Sequence, residues 1–353
     1  MAGVSLLLAS PPGAAQAGPL GMASDDRNNR LSVFDARLDV ITASLDAGPG
    51  MALGDCVVSR DERLGVMSGS SAEITFVELD RHASPAAHSG TRLPISNLGV
   101  DMALSPDEAF LVLAGGGALQ QPLSVVATAS RAEVSTSSLF VDNTSVEFCG
   151  NGTLLVTTIN GPAFDHQVDN ALYDARLDAR GRISLGGHRL SSGAQPNNST
   201  CAPGSLSGVL LDRAGGVTSF MLPGLEPVQY VDTGPSAALA AAFSSDGKRL
   251  YVRTAKAVQA YHFNPLTGAM RYAWAQDAPD TPTYFGMEQI ALHPDGDKLY
   301  VDGGGSMWVL DAQTGRHAGA IGHGGGTTGI CFASTAQPAQ EQLAQQEPQH
   351  LAP

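Results

Sequence analysis

The chain has 353 residues, with 34 acidic and 20 basic side chains for a formal charge of −14 and no cluster of Lys or Arg, which argues against phosphate or nucleic-acid binding because such a face must release counterions through basic groups. No apolar run approaches the roughly 20 residues of a membrane-spanning helix. With 41 Gly and 21 Pro, and short apolar stretches bounded by Gly, Pro, Asp or Asn, the composition describes many short strands joined by turns.

Taken in chain order, Val4-Ser-Leu-Leu-Leu-Ala9 reads as a first strand. The competing reading of residues 1–18 is a remnant signal peptide, because Ala15-Gln-Ala17 before Gly18 resembles a cleavage site. No Lys or Arg precedes Val4 and the apolar core is short for a leader, so the strand reading is preferred. Leu31–Asp35 and Val40–Leu45 are the next two strands.

A pattern of strand, tight turn and strand then recurs. It appears as Cys56-Val-Val-Ser-Arg-Asp-Glu-Arg-Leu-Gly-Val66, Met102-Ala-Leu-Ser-Pro-Asp-Glu-Ala-Phe-Leu-Val112, Val146-Glu-Phe-Cys-Gly-Asn-Gly-Thr-Leu-Leu-Val156 and Cys201-Ala-Pro-Gly-Ser-Leu-Ser-Gly-Val209. The strongest copies are Ala240–Val252, followed by Val258–Gly268, and Ile290–Val301, followed by Met307–Gly315 and Ala318–Ile321. The turn residues Asp61, Asp107, Asn151, Pro203, Asp246 and Asp295 lie 46, 44, 52, 43 and 49 residues apart, the period of a four-stranded propeller blade. Gly329–Ser334 is a further innermost strand with no partners after it.

The fold expected is therefore all-β, a seven-bladed β-propeller with four antiparallel strands per blade, occupying residues 1–334 as one domain. Pairing the C-terminal innermost strand with N-terminal strands closes the ring and removes open sheet edges; Val4–Ala9 is expected as the second strand of that shared blade. Residues 335–353, rich in Gln and Pro, are expected to be a disordered tail.

The turn Ser/His-Pro-Asp-Gly followed by Leu-Tyr-Val, with Val-Leu-Asp-x-x-Thr-Gly at a strand end, resembles the YVTN-type β-propeller repeat family. Ser244–Val252, His293–Val301 and Leu310–Gly315 carry it, strongly in two blades and loosely elsewhere. Gly286–Tyr300 and Gly322-His-Gly324 are more weakly similar to the propeller heavy subunits of quinoprotein amine dehydrogenases. That resemblance implies a scaffold, the family's cofactor residing on a separate small subunit. Lactone-hydrolysing propellers share the repeat, with no catalytic constellation matched residue by residue. These families are largely exported, which favours a periplasmic or secreted location.

In a propeller the innermost strands line the channel, so the segments before each turn are the place to look for a site. They hold Asp55, Asp101, Glu147, Gln195, Asn197, Asp280, Glu288 and His323. Asp55 and Asp101 each precede the turn Ser by four residues and are expected at one depth in successive blades. Converging carboxylates would suit calcium or acid/base chemistry; the simpler reading is a set of solvated rim residues bonded to neighbouring loops, and no cofactor is predicted. His293 replaces the turn Ser and reads as structural. The histidines lack close zinc-ligand spacing, the Gly runs adjoin no helix that would cradle phosphate, and there is no Gly-x-Ser-x-Gly elbow.

Trp274, Tyr284, Phe285 and Met287 fall in one inter-blade region and are the candidate patch for a partner, although inter-blade packing is the preferred fate of Trp274. Cys56 and Cys331, and Cys149 and Cys201, are read as occupying matched registers in adjacent blades. Matched side chains would point in the same rotational sense, so buried free thiols are expected rather than disulfides. The function expected is a non-catalytic scaffold or binding protein for a protein or small-molecule partner. The alternative is a channel-mouth enzyme, lactonase-like, or the scaffold subunit of an amine-dehydrogenase-like oxidoreductase.

Overall fold

The computed structural model describes residues 18–25, 30–46, 53–69, 72–79, 90–116, 121–137, 143–159, 170–192, 195–280, 289–322 and 326–333. Within them lie seven four-stranded antiparallel sheets, the blades of a seven-bladed β-propeller. Blade 1 combines both ends of the described chain, and blades 2 to 7 follow in order, each running from an innermost to an outermost strand. The innermost strands are Thr327–Phe332 in blade 1, then Leu53–Val58, Asp101–Leu104, Asn143–Phe148, Pro196–Cys201, Ala238–Phe243 and Ile290–Leu292.

The repeat motif is the turn between the first two strands of a blade. The Ser59 hydroxyl donates to Asp61 Oδ1 at 2.7 Å and accepts the N–H of Leu64 at 3.0 Å; Ser105 with Asp107, and Ser244 with Asp246, repeat the arrangement. In blade 7 the His293 ring takes the place of the hydroxyl, Nδ1 accepting the N–H of Asp295 at 3.1 Å. The fourth turn residue is left-handed, which explains Gly247 (φ 67) and Gly296 (φ 78) at that point. Glu62 and Glu108 adopt the same conformation without being glycine.

Buried apolar side chains form seven clusters, one at each seam between blades. Alternate residues of each strand feed the two neighbouring seams, as the two-residue side-chain period requires. The core is thus a ring of seams around the channel.

Ring closure is as expected in principle but uses a different strand. The partner of Thr327–Phe332 is Leu20–Asp25, with Met22 opposite Cys331 and Gly21 opposite Phe332, and it continues into Arg30–Asp35. All six of its residues are buried, as a strand flanked on both sides must be. Its mixed composition, Leu-Gly-Met-Ala-Ser-Asp, hides it from a search for apolar runs. Val4–Ala9 lies outside the described residues, as does the Gln/Pro-rich segment.

The cysteines are also corrected: Cys56 is bonded to Cys331 and Cys149 to Cys201, with Cα–Cα distances of 5.8 and 5.4 Å. Cys56 and Cys331 do share a register, each two residues before the parallel Val58–Ala333 bridge, and are bonded nonetheless; for Cys149 and Cys201 the assumption of matched registers was at fault. Cys149 opens its turn, its N–H bonding the carbonyl of Thr153, whereas in blade 5 that place belongs to Ala202 and Cys201 precedes it by one residue. A one-residue offset reverses the facing of a strand side chain, so each sulfur points across the seam into a shared cluster with Leu155, Leu210 and Phe220. Cys331 and Cys56 likewise meet among Met22, Leu31, Val58 and Met67.

Candidate functional site

Counting back from each turn sorts the innermost strands into layers around the channel. The residues immediately before the turns are Val58, Leu104, Phe148, Cys201, Phe243 and Leu292. The next layer holds Val57, Ala103, Glu147, Thr200, Ala242 and Ala291, and Asp55 and Asp101 stand two layers further along the channel. The outer layers enclose a cavity of about 330 Å³ open at the turn face, walled by innermost strands from all seven blades, with Phe332 and Ala333 completing it in blade 1.

Glu147 places the one carboxyl of the inner wall. Burial pushes it up to about 8, reinforced by the charge of Asp55 and opposed by hydrogen bonds from the Thr200 side chain and the backbone of Cys201. The only other charged side chains lining the cavity among the described residues are Arg60 and Glu108 at the mouth, 3.5 Å apart. The Arg60 guanidinium also donates to the carbonyl of Pro106. The mouth continues outward into a groove across blades 3 and 4, floored by Phe110, Phe148 and Leu177.

Asp55 and Asp101 share one depth and one role, but they are not rim residues. They are 1% and 2% exposed, and each reaches across a seam: Asp55 Oδ2 accepts the N–H of Met102 at 3.1 Å, and Asp101 Oδ2 that of Val146 at 2.8 Å. Burial pushes Asp55 up to about 7, opposed by hydrogen bonding with the Asp101 side chain and by the N–H groups of Cys56 and Met102. Its Oδ1 is buried without a hydrogen-bond partner. Asn197 makes a similar latch, donating to the carbonyl of Leu239 at 2.7 Å.

Gln195 and Asp280 are exposed. Trp274 is half-buried at the seam of blades 6 and 7, its ring 6.1 Å from that of Tyr251. Glu288, His323, Tyr284, Phe285 and Met287 lie outside the described residues. Among the described residues no group of three or more His, Cys, Asp or Glu is placed to hold a metal ion.

Three features escaped the sequence. His293 supports its turn as expected, yet it also lines the cavity, 4% exposed, with Nε2 lacking a partner. Phe148, Phe243 and Phe332 line the same cavity from blades 4, 6 and 1. Thr200 holds the Glu147 carboxyl. The available signal was position: the residues one and two before the turns border the open half of the channel, nearer its mouth than Asp55 and Asp101.

No family model matches the chain, and no curated protein sequence does. Solved structures do match. A protein of unknown function from Desulfotomaculum acetoxidans superposes with a TM-score of 0.77 at 19% identity, covering 90% of this chain and all of that one. A candidate 6-phosphogluconolactonase of Bacteroides fragilis gives 0.73 at 12%, covering 92% and 100%. The periplasmic gluconolactonase PpgL of Pseudomonas aeruginosa gives 0.70 at 16%, covering 90% and 99%. At these identities the likeness is one of fold, which places the chain among seven-bladed propellers that include lactonase-like members. In the described residues no helix is long and apolar enough to cross a membrane.

Proposed function

We propose that the propeller is a binding protein that takes a small organic molecule into the turn-face half of its channel. The observation that carries this is the cavity of about 330 Å³, walled by all seven blades, its lining a little more apolar than polar and, among the described residues, with one inward carboxyl. Ligand sites are concave and mostly apolar, with a few polar groups that set orientation. A YVTN-type kinship and an exported, periplasmic or secreted location belong to the same reading. Two disulfides support export, because such bonds persist in oxidising compartments.

The test is ligand-observed NMR with a panel of neutral, cationic and anionic fragments on the intact protein and on Ala242→Trp, which adds an indole at a partly exposed position of the cavity wall. Binding by the parent that is lost in the variant is the expected result. Fragments that bind both proteins equally would place the site elsewhere.

Lactone hydrolysis is a second reading, favoured by the names of two of the similar structures and by Glu147, a carboxyl held near neutrality as a general base requires. His293, which lines the cavity from blade 7, would be its polar companion. Hydrolysis of an aliphatic lactone in a pH-stat, abolished by Glu147→Gln, would establish it; no turnover above the buffer rate would remove it.

A further inference from the structure

Resting on the reading of the channel as a ligand site, we propose that the ligand carries a quaternary ammonium head group, seated against Glu147 among the rings of Phe148, Phe243 and Phe332. The charge balance of the cavity points first to a cation. Glu147 is its inner carboxyl, Asp55 and Asp101 lie behind it, and Arg60 is occupied at the mouth by Glu108 and the Pro106 carbonyl. A phosphate or carboxylate entering here would meet the Glu147 carboxyl and find the Arg60 guanidinium already engaged.

The wall then distinguishes between kinds of cation. A primary ammonium has three N–H donors to satisfy. Around Glu147 the same layer offers Val57, Ala103, Ala242 and Ala291, which accept nothing through their side chains, and Thr200, whose hydroxyl already bonds the carboxyl. A quaternary ammonium has no donors. It asks only for a counter-charge and for aromatic faces, whose quadrupoles attract cations. The three phenylalanines stand in blades 1, 4 and 6, each packed against the apolar core of its seam and leaving part of its surface in the cavity lining. Once both carboxyls are ionised, a cation beside Glu147 also relieves the repulsion between that residue and Asp55.

Isothermal titration in moderate salt with tetramethylammonium and choline, against 3,3-dimethylbutan-1-ol as the uncharged isostere of choline and n-butylamine as the primary ammonium, tests this. The quaternary salts are expected to bind at least about tenfold more tightly than either comparison compound, a difference of the size desolvated cation–π contacts supply. Glu147→Gln should lower choline affinity by a similar factor while leaving the alcohol unaffected, and Phe243→Leu should weaken choline alone. Choline affinity should rise from about pH 6 to about pH 9 as Glu147 ionises, with Asp55, Asp101, His293, Arg60 and Glu108 the other titratable or charged groups around it. Tighter binding of the alcohol or the primary amine, or choline binding indifferent to Glu147→Gln, would overturn the quaternary assignment and leave the channel reading in place. If neither these compounds nor the fragment panel bind in the channel, both fall.

Discussion

The carboxylate of Asp101 accepts the main-chain N–H of Val146 across the seam between blades 3 and 4 at 2.8 Å, and both residues are buried, at 2% and 3% exposure. An innermost strand so short has few ways to fix its neighbour, and a carboxylate bonded to an amide fixes distance and register together. Asp101→Ala strands that N–H away from water and should cost about 1–3 kcal/mol in urea unfolding. Asp101→Asn, which keeps an acceptor, should cost less. An Ala variant as stable as the parent would show that the latch contributes nothing.

The disulfides should differ in what they contribute. The Cys56–Cys331 bridge spans 275 residues and Cys149–Cys201 spans 52, so restricting the unfolded chain favours the first by about 1.5 kcal/mol in the loop-entropy account. Replacing Cys56 and Cys331 by Ala should therefore lower the urea midpoint more than replacing Cys149 and Cys201. A thiol count on unreduced, denatured protein should find none; four would contradict both bridges.

How much of this was legible in the sequence depends on what each residue was doing locally. The turns were readable because Ser-x-Asp bonding is contained within a few residues, and Asp55 and Asp101 could be given one depth from spacing alone. Leu20–Asp25 was missed because a strand buried between two others need not look apolar. Cys149 and Cys201 differ from the expectation by one residue of register, which in a strand decides the face, whereas Cys56 and Cys331 keep the expected register and are bonded across the seam all the same. Burial of the aspartates, and the convergence of Phe148, Phe243, Phe332 and His293 on one cavity, arise only when seven distant segments meet.

Glu147 should make stability fall with rising pH. Its carboxyl ordinarily titrates near 4.5 and is held up at about 8 in the fold, so between these values the unfolded chain has lost a proton that the native state keeps. Stability from this group is complete below about 4.5, declines as pH rises and levels off above about 8. Glu147→Gln should leave Tm nearly unchanged at about pH 4 and raise it at about pH 9, as thermal unfolding followed by circular dichroism will show. Parallel pH profiles for the two proteins would contradict the raised value.

Blade 7 is joined to blade 1 by a compact polar contact. The Tyr300 hydroxyl bonds Asp39 Oδ1 at 2.6 Å and lies 2.8 Å from the carbonyl of Ala36, and Lys298 donates to the other Asp39 oxygen at 2.7 Å. Burial and the Asp39 carboxylate push the phenol far above its ordinary range, so it serves as a neutral donor. Tyr300→Phe should cost about 1–2 kcal/mol in urea unfolding with the fold intact; no loss would mean that Lys298 alone holds Asp39.

The channel as a ligand site is tested most directly by a crystal structure of the protein soaked with choline and, separately, with an aliphatic lactone. Density for one of them beside Glu147, between Phe148, Phe243 and Phe332, is the predicted result. An empty channel at saturating concentration, or density only on the outer faces of the blades, would contradict it.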